Sequence, residues 1–377
     1  MNETVEIGMG RTARRGYRLD EVSVVPSRRT RSSSEVSTSW QIDAYRFEIP
    51  FITQPSDALV DPAGAVAVNA LGGLGVIDGE GLWARHAQPE RELEKLLRLL
   101  NSGEADEAEV VAAVQQAYQP EVQLDLLTEA IGTVKDGGGT VAVRLSPQNA
   151  GTLAQQVISA GVELLIIQGT IVSAEHVQGG GGEPLNLKSF IADLDVPVIV
   201  GGCTNYQTAT HLMRTGAAGV IVGTGAGLTT STSEVLGIEV PMATAIADAA
   251  AARRSYLDET GGRYVHVIAA GDLYSSGDIA KAIACGADAV MLADLLAESD
   301  TAPGKGWYWP ASASHPRLPR GVAGLIGAAD TPLEQLLQGP AVDASGRSNL
   351  FGALRRSMAK AGYSDLKEFQ KVGLAIS

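Results

Sequence analysis

The sequence predicts an α/β protein of the (β/α)8 TIM-barrel type, and three observations carry that expectation. One phrase recurs: LGGLGVID (71–78), AGVELLIIQG (160–169), TGAAGVIVGTG (215–225) and CGADAVMLAD (285–294) each set Gly before a short aliphatic run. Three of the four follow an alanine-rich amphipathic stretch, LAQQVIS, ATHLMR and DIAKAIA. The unit therefore reads as helix, glycine C-cap, buried strand. Between these units lie continuous apolar runs, TVAVRLS (140–146), VPVIVGG (196–202) and RYVHVIAAG (263–271), as expected of parallel strands covered on both faces.

Alternating strands and helices leave two architectures, a doubly wound sheet or a closed barrel. No G-x-G-x-x-G opens a helix after the first strand, and about eight strand–helix units are present, so the barrel is favoured. The chain divides into one barrel domain over 1–377, with an N-terminal arm at 1–45 and a helical closure at 354–377. In chain order, seven arginines between Arg11 and Arg31 make the arm basic, suited to an acidic surface of this chain or of a second subunit, or else to a dedicated anion site. NSGEADEAEVVAAVQQ (101–116) reads as an exposed helix and loop, and QGGGGEPLN (178–186) as a flexible loop. LRRSMAKAGYSDLKEFQKV (354–372) reads as an amphipathic helix pair.

Functional groups of a barrel gather just past the C-terminal strand ends. Those positions are Thr53 to Asp57, Ser146 to Asn149, Gln168 to Thr170, Gly201 to Asn205, Gly223 to Thr230, Ala270 to Tyr274 and Ala293 to Leu295. Asp57 suits either a helix cap or a ligand contact; Arg144, Gln148 and Asn149 suit either the mouth or loop turns. His266 alternates within a strand and reads as a satisfied core or interface residue. His176, His211 and His315 stand alone, without metal-ligand spacing.

Bulk properties exclude several classes. The net charge of −14 opposes a nucleic-acid partner, which needs surplus Lys and Arg against phosphate. Two cysteines, Cys203 and Cys285, suggest neither a disulfide framework nor a metal cluster. No secretory signal and no run of 18 apolar residues is visible, so the expectation is a cytoplasmic protein with no membrane span. Forty-four glycines without a G-X-Y period exclude collagen.

Several segments resemble the IMP dehydrogenase/GMP reductase family. IPFITQPSDALVDP is similar to its first barrel strand, ALGGLGVI to its A-x-x-G-G-x-G-V-I, and HLMRTGAAGVIVGTGAGLTT to the segment holding its catalytic-cysteine loop. IEVPMATAIADAA, RYVHVIAAGDL, GDIAKAIACGADAVML and LRRSMAKAGY follow in the family's order. VEIGMGRTARR, VSTSWQIDAYRFEIP and SMAKAGYSDLKEFQKVGL resemble the actinobacterial IMP dehydrogenase-related group. The 78–139 stretch is too short and polar for the family's CBS (Bateman) pair, and little lies between Trp309 and Pro316 to serve as its mobile flap.

The resemblance implies a purine-nucleotide ligand, an NAD(P) cofactor and a homotetramer. It also implies a thiolate that attacks the purine, chemistry that needs Cys. Leu228 stands at that position. Other implied binding positions also differ: Ala226 for the phosphate Ser, Ser231 for the Arg after Thr229 and Thr230, and Ala270 for the ribose Asp. The phosphate turns become Gly271–Asp272 and Ala293–Asp294, and the nicotinamide-facing positions become Gln168 and Gly202. Gly223, Gly225 and Gly227 keep the form of the loop.

Two carboxylates beside a phosphate dianion are unfavourable in a partly desolvated site. Three readings follow. One is a ligand-binding or regulatory paralogue, alone or in hetero-assembly with a complete IMP dehydrogenase. Another is an oxidoreductase with altered chemistry, Cys203 acting as a displaced nucleophile. The third is an enzyme on an uncharged or cationic substrate served by Asp57, Asp272 and Asp294.

Overall fold

The computed structural model describes residues 4–174, 185–225 and 227–376. Ala226, His176 and residues 178–184 of the expected glycine-rich loop lie outside the described residues. Eight parallel strands form the barrel: β1 (Phe51–Thr53), β2 (Val76–Asp78), β3 (Ala142–Leu145), β4 (Leu164–Gln168), β5 (Val198–Cys203), β6 (Gly219–Val222), β7 (His266–Ala269) and β8 (Ala289–Leu292). Each pairs with its sequence neighbour from β2 to β8, and β8 pairs with β1. A parallel bridge between Ile52 and Leu74 closes β1 onto β2. The wall is thus continuous, as the repeated strand phrase predicts.

The glycines do the work assigned to them. Gly161 ends helix α5 with φ +115° and Gly286 ends α10 with φ +120°, conformations that L side chains rarely adopt. In chain order the helices begin with α1 (Pro62–Ala70), α2 (Pro89–Ser102), α3 (Glu107–Ala117), α4 (Leu124–Asp136), α5 (Ala150–Ala160) and α6 (Leu187–Ala192). Then come α7 (Tyr206–Met213), α8 (Thr232–Leu236), α9 (Met242–Thr260), α10 (Ser276–Cys285), α11 (Asp294–Ala297) and α12 (Leu333–Gln338).

Between β2 and β3 the described chain forms helices and turns only, which accords with the absence of a CBS insertion. The 101–116 stretch holds the expected helix, but that helix is not wholly exposed. Helices α2 and α3 bury Leu93, Leu96, Leu100, Val114 and Ala117 with Leu82, Ala58, Trp309 and Ala313 in a small second core. The apolar period was masked by the acidic residues that cover the outer face.

The C-terminal closure holds the expected helix pair over 354–372 but ends in a strand rather than in helix. Helix α13 (Leu350–Ala361) and the short α14 (Leu366–Phe369) are followed by a strand, Gly373–Ile376, antiparallel to Val22–Val25 of the arm. The arm's arginines rest on this chain: Arg14 pairs with Asp248 of α9 at 2.9 Å, and Arg28 lies over the Tyr363 ring at 4.2 Å.

Beneath the barrel, just before β8, Asp288 joins the closure to the wall. It accepts from Arg253 at 2.6 Å, Tyr264 at 2.7 Å, Lys367 at 2.8 Å, the Val267 amide at 2.9 Å and Gln370 at 3.1 Å. Burial opposes its charge, but Arg253 and then Lys367 outweigh that and hold the carboxyl far below its ordinary range. His266 is not the satisfied residue the alternation implied. Its Nδ1 is buried without a hydrogen bond, 3.9 Å from Asp288, and burial lowers its pKa to about 4, so the ring stays neutral.

Candidate functional site at the barrel mouth

A cavity of about 1000 Å³ opens at the C-terminal strand ends. Gln54, Asp78, Arg144 and Gln168 come from the ends of β1 to β4, Thr224 and Gly225 from the loop after β6. Residues Pro310 to Pro316 with Arg320 form an outer strap. The strap is tied to the glycine-rich loop: the Val322 amide donates to the Thr229 carbonyl at 2.8 Å, and Thr230 bridges Gly321.

The floor is rich in carboxylates. Arg144 donates to Asp78 Oδ1 at 3.2 Å and to the Gln168 carbonyl at 2.8 Å. Glu80 accepts from the Ser146 amide, from Ser146 Oγ at 3.0 Å and from Asn149 Nδ2 at 2.5 Å. Burial alone would raise Glu80, but Arg144 and these hydrogen bonds outweigh it and lower its pKa. Asp78 goes the other way. Burial is the larger effect there and raises it despite Arg144.

Asp57 sits behind this floor rather than among the lining residues. Its Oδ2 accepts from Tyr118 Oη at 2.6 Å and from the Leu82 amide at 2.9 Å, at the start of the Leu82–Ala84 turn. Trp309 Nε1 donates to Tyr118 Oη at 3.0 Å, so the small second core fixes this chain of contacts. Burial, reinforced by Asp78, raises Asp57 to about 7. The same burial, with Asp57 beside it, lifts Tyr118 well above its ordinary value.

The opposite rim carries the glycine-rich loop. Leu228 is 68% exposed, and its amide donates to Asp294 Oδ2 at 2.7 Å. Asp294 is 2% exposed and its Oδ1 has no hydrogen bond. Burial raises its pKa, against the Leu228 amide and Arg347. Gly227 has φ +88°, and a Cβ there would overlap Asp294 Oδ1. The loop's shape therefore depends on Asp294.

The remaining sequence-predicted residues divide. Gly225 and Gln168 line the cavity, as do Arg144, Gln148 and Asn149. Gly202 and Gly223 are packed so closely that Cβ atoms would strike the Gly223 and Ala270 carbonyls respectively. Gly271 and Ala293 are buried, and Thr229 is buried beneath the strap. Asp272 accepts from Tyr274 Oη at 3.1 Å. Cys203 is 1% exposed with Sγ 3.4 Å from the Ile221 carbonyl, and burial pushes its thiol up to about 12. Cys285 is pushed up to about 11 by burial. Neither thiol is ionised near neutral pH, the state a cysteine nucleophile needs.

Sequence reasoning missed Asp78, Glu80 and Tyr118. Asp78 ends LGGLGVID and Glu80 lies two residues beyond it, so the strand-end rule marks both once that phrase is treated like the other strands. Tyr118 has no such signal, because it reaches Asp57 across 61 positions.

The IMP dehydrogenase/GMP reductase domain model matches residues 16–329. The chain belongs to the IMP dehydrogenase/GMP reductase family. It is 60% identical over 375 residues to an uncharacterized oxidoreductase of Mycolicibacterium smegmatis, covering 99% of both chains. It is 59% identical to an uncharacterized oxidoreductase of Mycobacterium tuberculosis (strain H37Rv), again covering 99% of each. The inosine-5'-monophosphate dehydrogenase of Methanocaldococcus jannaschii is 42% identical over 118 residues, 31% of this chain and 22% of that protein. Among solved structures, an IMP dehydrogenase/GMP reductase-like protein from Corynebacterium glutamicum superposes with TM-score 0.94 at 53% identity, covering 99% of this chain and 98% of that one. Among the described residues no helix is long and apolar enough to cross a membrane, and no cluster of metal-ligand type is present.

Proposed function

We propose that this member of the family binds a small molecule at its barrel mouth and does not run thiolate-based nucleotide oxidation. The observation that carries the reading is the contact between the Asp294 carboxyl and the Leu228 amide. Backbone N–H groups of a glycine-rich loop are a natural anion cradle. Here an internal carboxyl takes one, and a phosphate dianion beside it would meet like charge. Leu228 offers no lone pair, and both cysteine thiols are held protonated by burial.

A nicotinamide cofactor suits this donor set poorly. The Gln168 amide reaches Gln54 Oε1 and Met291 Sδ, both at 3.4 Å, Gly202 is packed beneath Gly223, and the floor opposes a diphosphate with carboxylates.

The test is calorimetry with IMP, GMP and XMP, followed by NAD(P)-linked turnover at 340 nm. We expect no micromolar nucleotide binding and no turnover; either result reversed sinks the reading. The oxidoreductase alternative, favoured by the names of the relatives, requires Cys203 to leave its buried position. Turnover lost in Cys203→Ser would establish it. A cytoplasmic homo-oligomer, a tetramer by family resemblance, or hetero-assembly with a complete relative completes the proposal. Light scattering of the purified chain, with and without such a relative, tests it.

A further inference from the structure

Among the described residues, two polar atoms on residues lining the mouth cavity have no hydrogen-bond partner. Asp78 Oδ1 accepts from Arg144 at 3.2 Å and from the Glu80 amide at 3.0 Å, while Oδ2, which is not sealed from the cavity, accepts from no described residue. On the strap, Arg320 Nη1 donates to the Leu318 carbonyl at 3.1 Å, while its buried Nε donates to nothing. Buried polar atoms are nearly always satisfied, by protein, water or ligand. One unfilled acceptor and one unfilled donor around a single cavity describe a complementary molecule.

Charge narrows its chemistry. Three carboxylates, Asp57, Asp78 and Glu80, lie around the guanidinium of Arg144, which is already engaged by Asp78 and the Gln168 carbonyl. A neutral donor would leave that excess standing, whereas a cation offsets it. Arg85 stands beside the same cluster, its Nε donating to the Glu80 carbonyl at 2.7 Å and its Nη1 to the Pro120 carbonyl, whereas on the strap Arg320 has a buried Nε with no partner among the described residues. One such group matches a monoanion better than a phosphate dianion.

We propose that the cavity binds a small dipolar molecule, with an amidinium or guanidinium head on Asp78 Oδ2 and a carboxylate tail toward Arg320. This rests on the reading of the mouth as a binding site without thiolate chemistry, and it names the ligand class. The fork of an amidinium or guanidinium presents paired N–H donors to one carboxylate, which a point-like ammonium does not.

The test is calorimetry with three probes: 4-guanidinobutyrate, butylguanidinium and butyrate. The dipolar compound binds at submillimolar Kd, butylguanidinium binds about tenfold more weakly, and butyrate gives no heat. Asp78→Asn weakens both guanidinium compounds by about tenfold or more. Arg320→Gln lowers 4-guanidinobutyrate to the level of butylguanidinium and leaves butylguanidinium unchanged. Arg320 lies outside the buried Asp78–Arg144 pair, so its variant decides the matter if Asp78→Asn fails to fold. Absence of guanidinium binding at millimolar concentration overturns the proposal, as does affinity indifferent to both substitutions. If the guanidinium probes and the nucleotides all fail to bind, only this inference falls. If nucleotides bind instead, both readings fall.

Discussion

The barrel buries carboxylates at both ends, and it treats them in opposite ways. Below, one carboxylate, Asp288, faces two cations, a phenol, an amide and a backbone N–H. Above, Asp57, Asp78 and Glu80 surround Arg144, and Asp78 keeps an oxygen unfilled. The lower cluster binds α9, α14 and β7 into one unit around a carboxylate whose two oxygens are both filled, with the buried His266 Nδ1 beside it left without a hydrogen bond. The upper cluster holds uncompensated charge in a desolvated place, which folding alone does not favour. Barrels divide labour between the two faces in this way, stability at the N-terminal end and function at the C-terminal end.

The largest expected effect comes from breaking the lower cluster. Arg253→Met leaves Asp288 buried and short of its main cation, so we expect a loss of about 3–5 kcal/mol in urea unfolding. A loss under about 1 kcal/mol would show that Lys367 and Tyr264 suffice, and the contrast between the two ends would weaken.

Opposite pH slopes provide the next test. Asp57 is raised to about 7, so the folded state holds more protons than the unfolded chain between about pH 4 and 7. Its contribution to stability therefore falls as pH rises through that window, by a few kcal/mol in order of magnitude. Asp57→Asn should flatten this part of the stability profile. Asp288 is lowered instead, so its contribution is present above the unfolded pKa and is lost as pH falls into strong acid. A profile for Asp57→Asn that parallels the parent from pH 4 to 7 would contradict the assignment.

A smaller effect is expected at Gly227. With φ +88° and Asp294 Oδ1 in the path of a Cβ, Gly227→Ala should cost about 1–3 kcal/mol in thermal unfolding. Adding Asp294→Ser should recover the steric part and leave the conformational part. The smallest change belongs to Leu228→Ser, whose exposed side chain should alter stability by no more than about 0.5 kcal/mol.

The fold was legible because its signal is local and repeated: Gly, then an aliphatic run, then a loop. The site was legible only where it follows directly from strand ends, as at Gln168 and Arg144. The Leu228–Asp294 contact spans 66 positions and the Tyr118–Asp57 contact 61, so no window of sequence contains either pair. The α2–α3 pair was obscured for a different reason, since its acidic outer faces mask the apolar faces that build the second core. By sequence alone, Asp272 and Asp294 stand as equal obstacles to phosphate. In the structure they differ, one turned to Tyr274 and the other to the loop amide.

That loop contact has a kinetic and thermodynamic meaning beyond its geometry. A carboxyl carried on the same scaffold behaves as a tethered competitor, present at the Leu228 amide at an effective concentration of millimolar order or above. A dissolved anion must exceed that local concentration, or bind correspondingly better, before it displaces Asp294. Dilution of the protein does not weaken this competition, because the rival never leaves. The barrel in effect carries its own occupant for the loop amide.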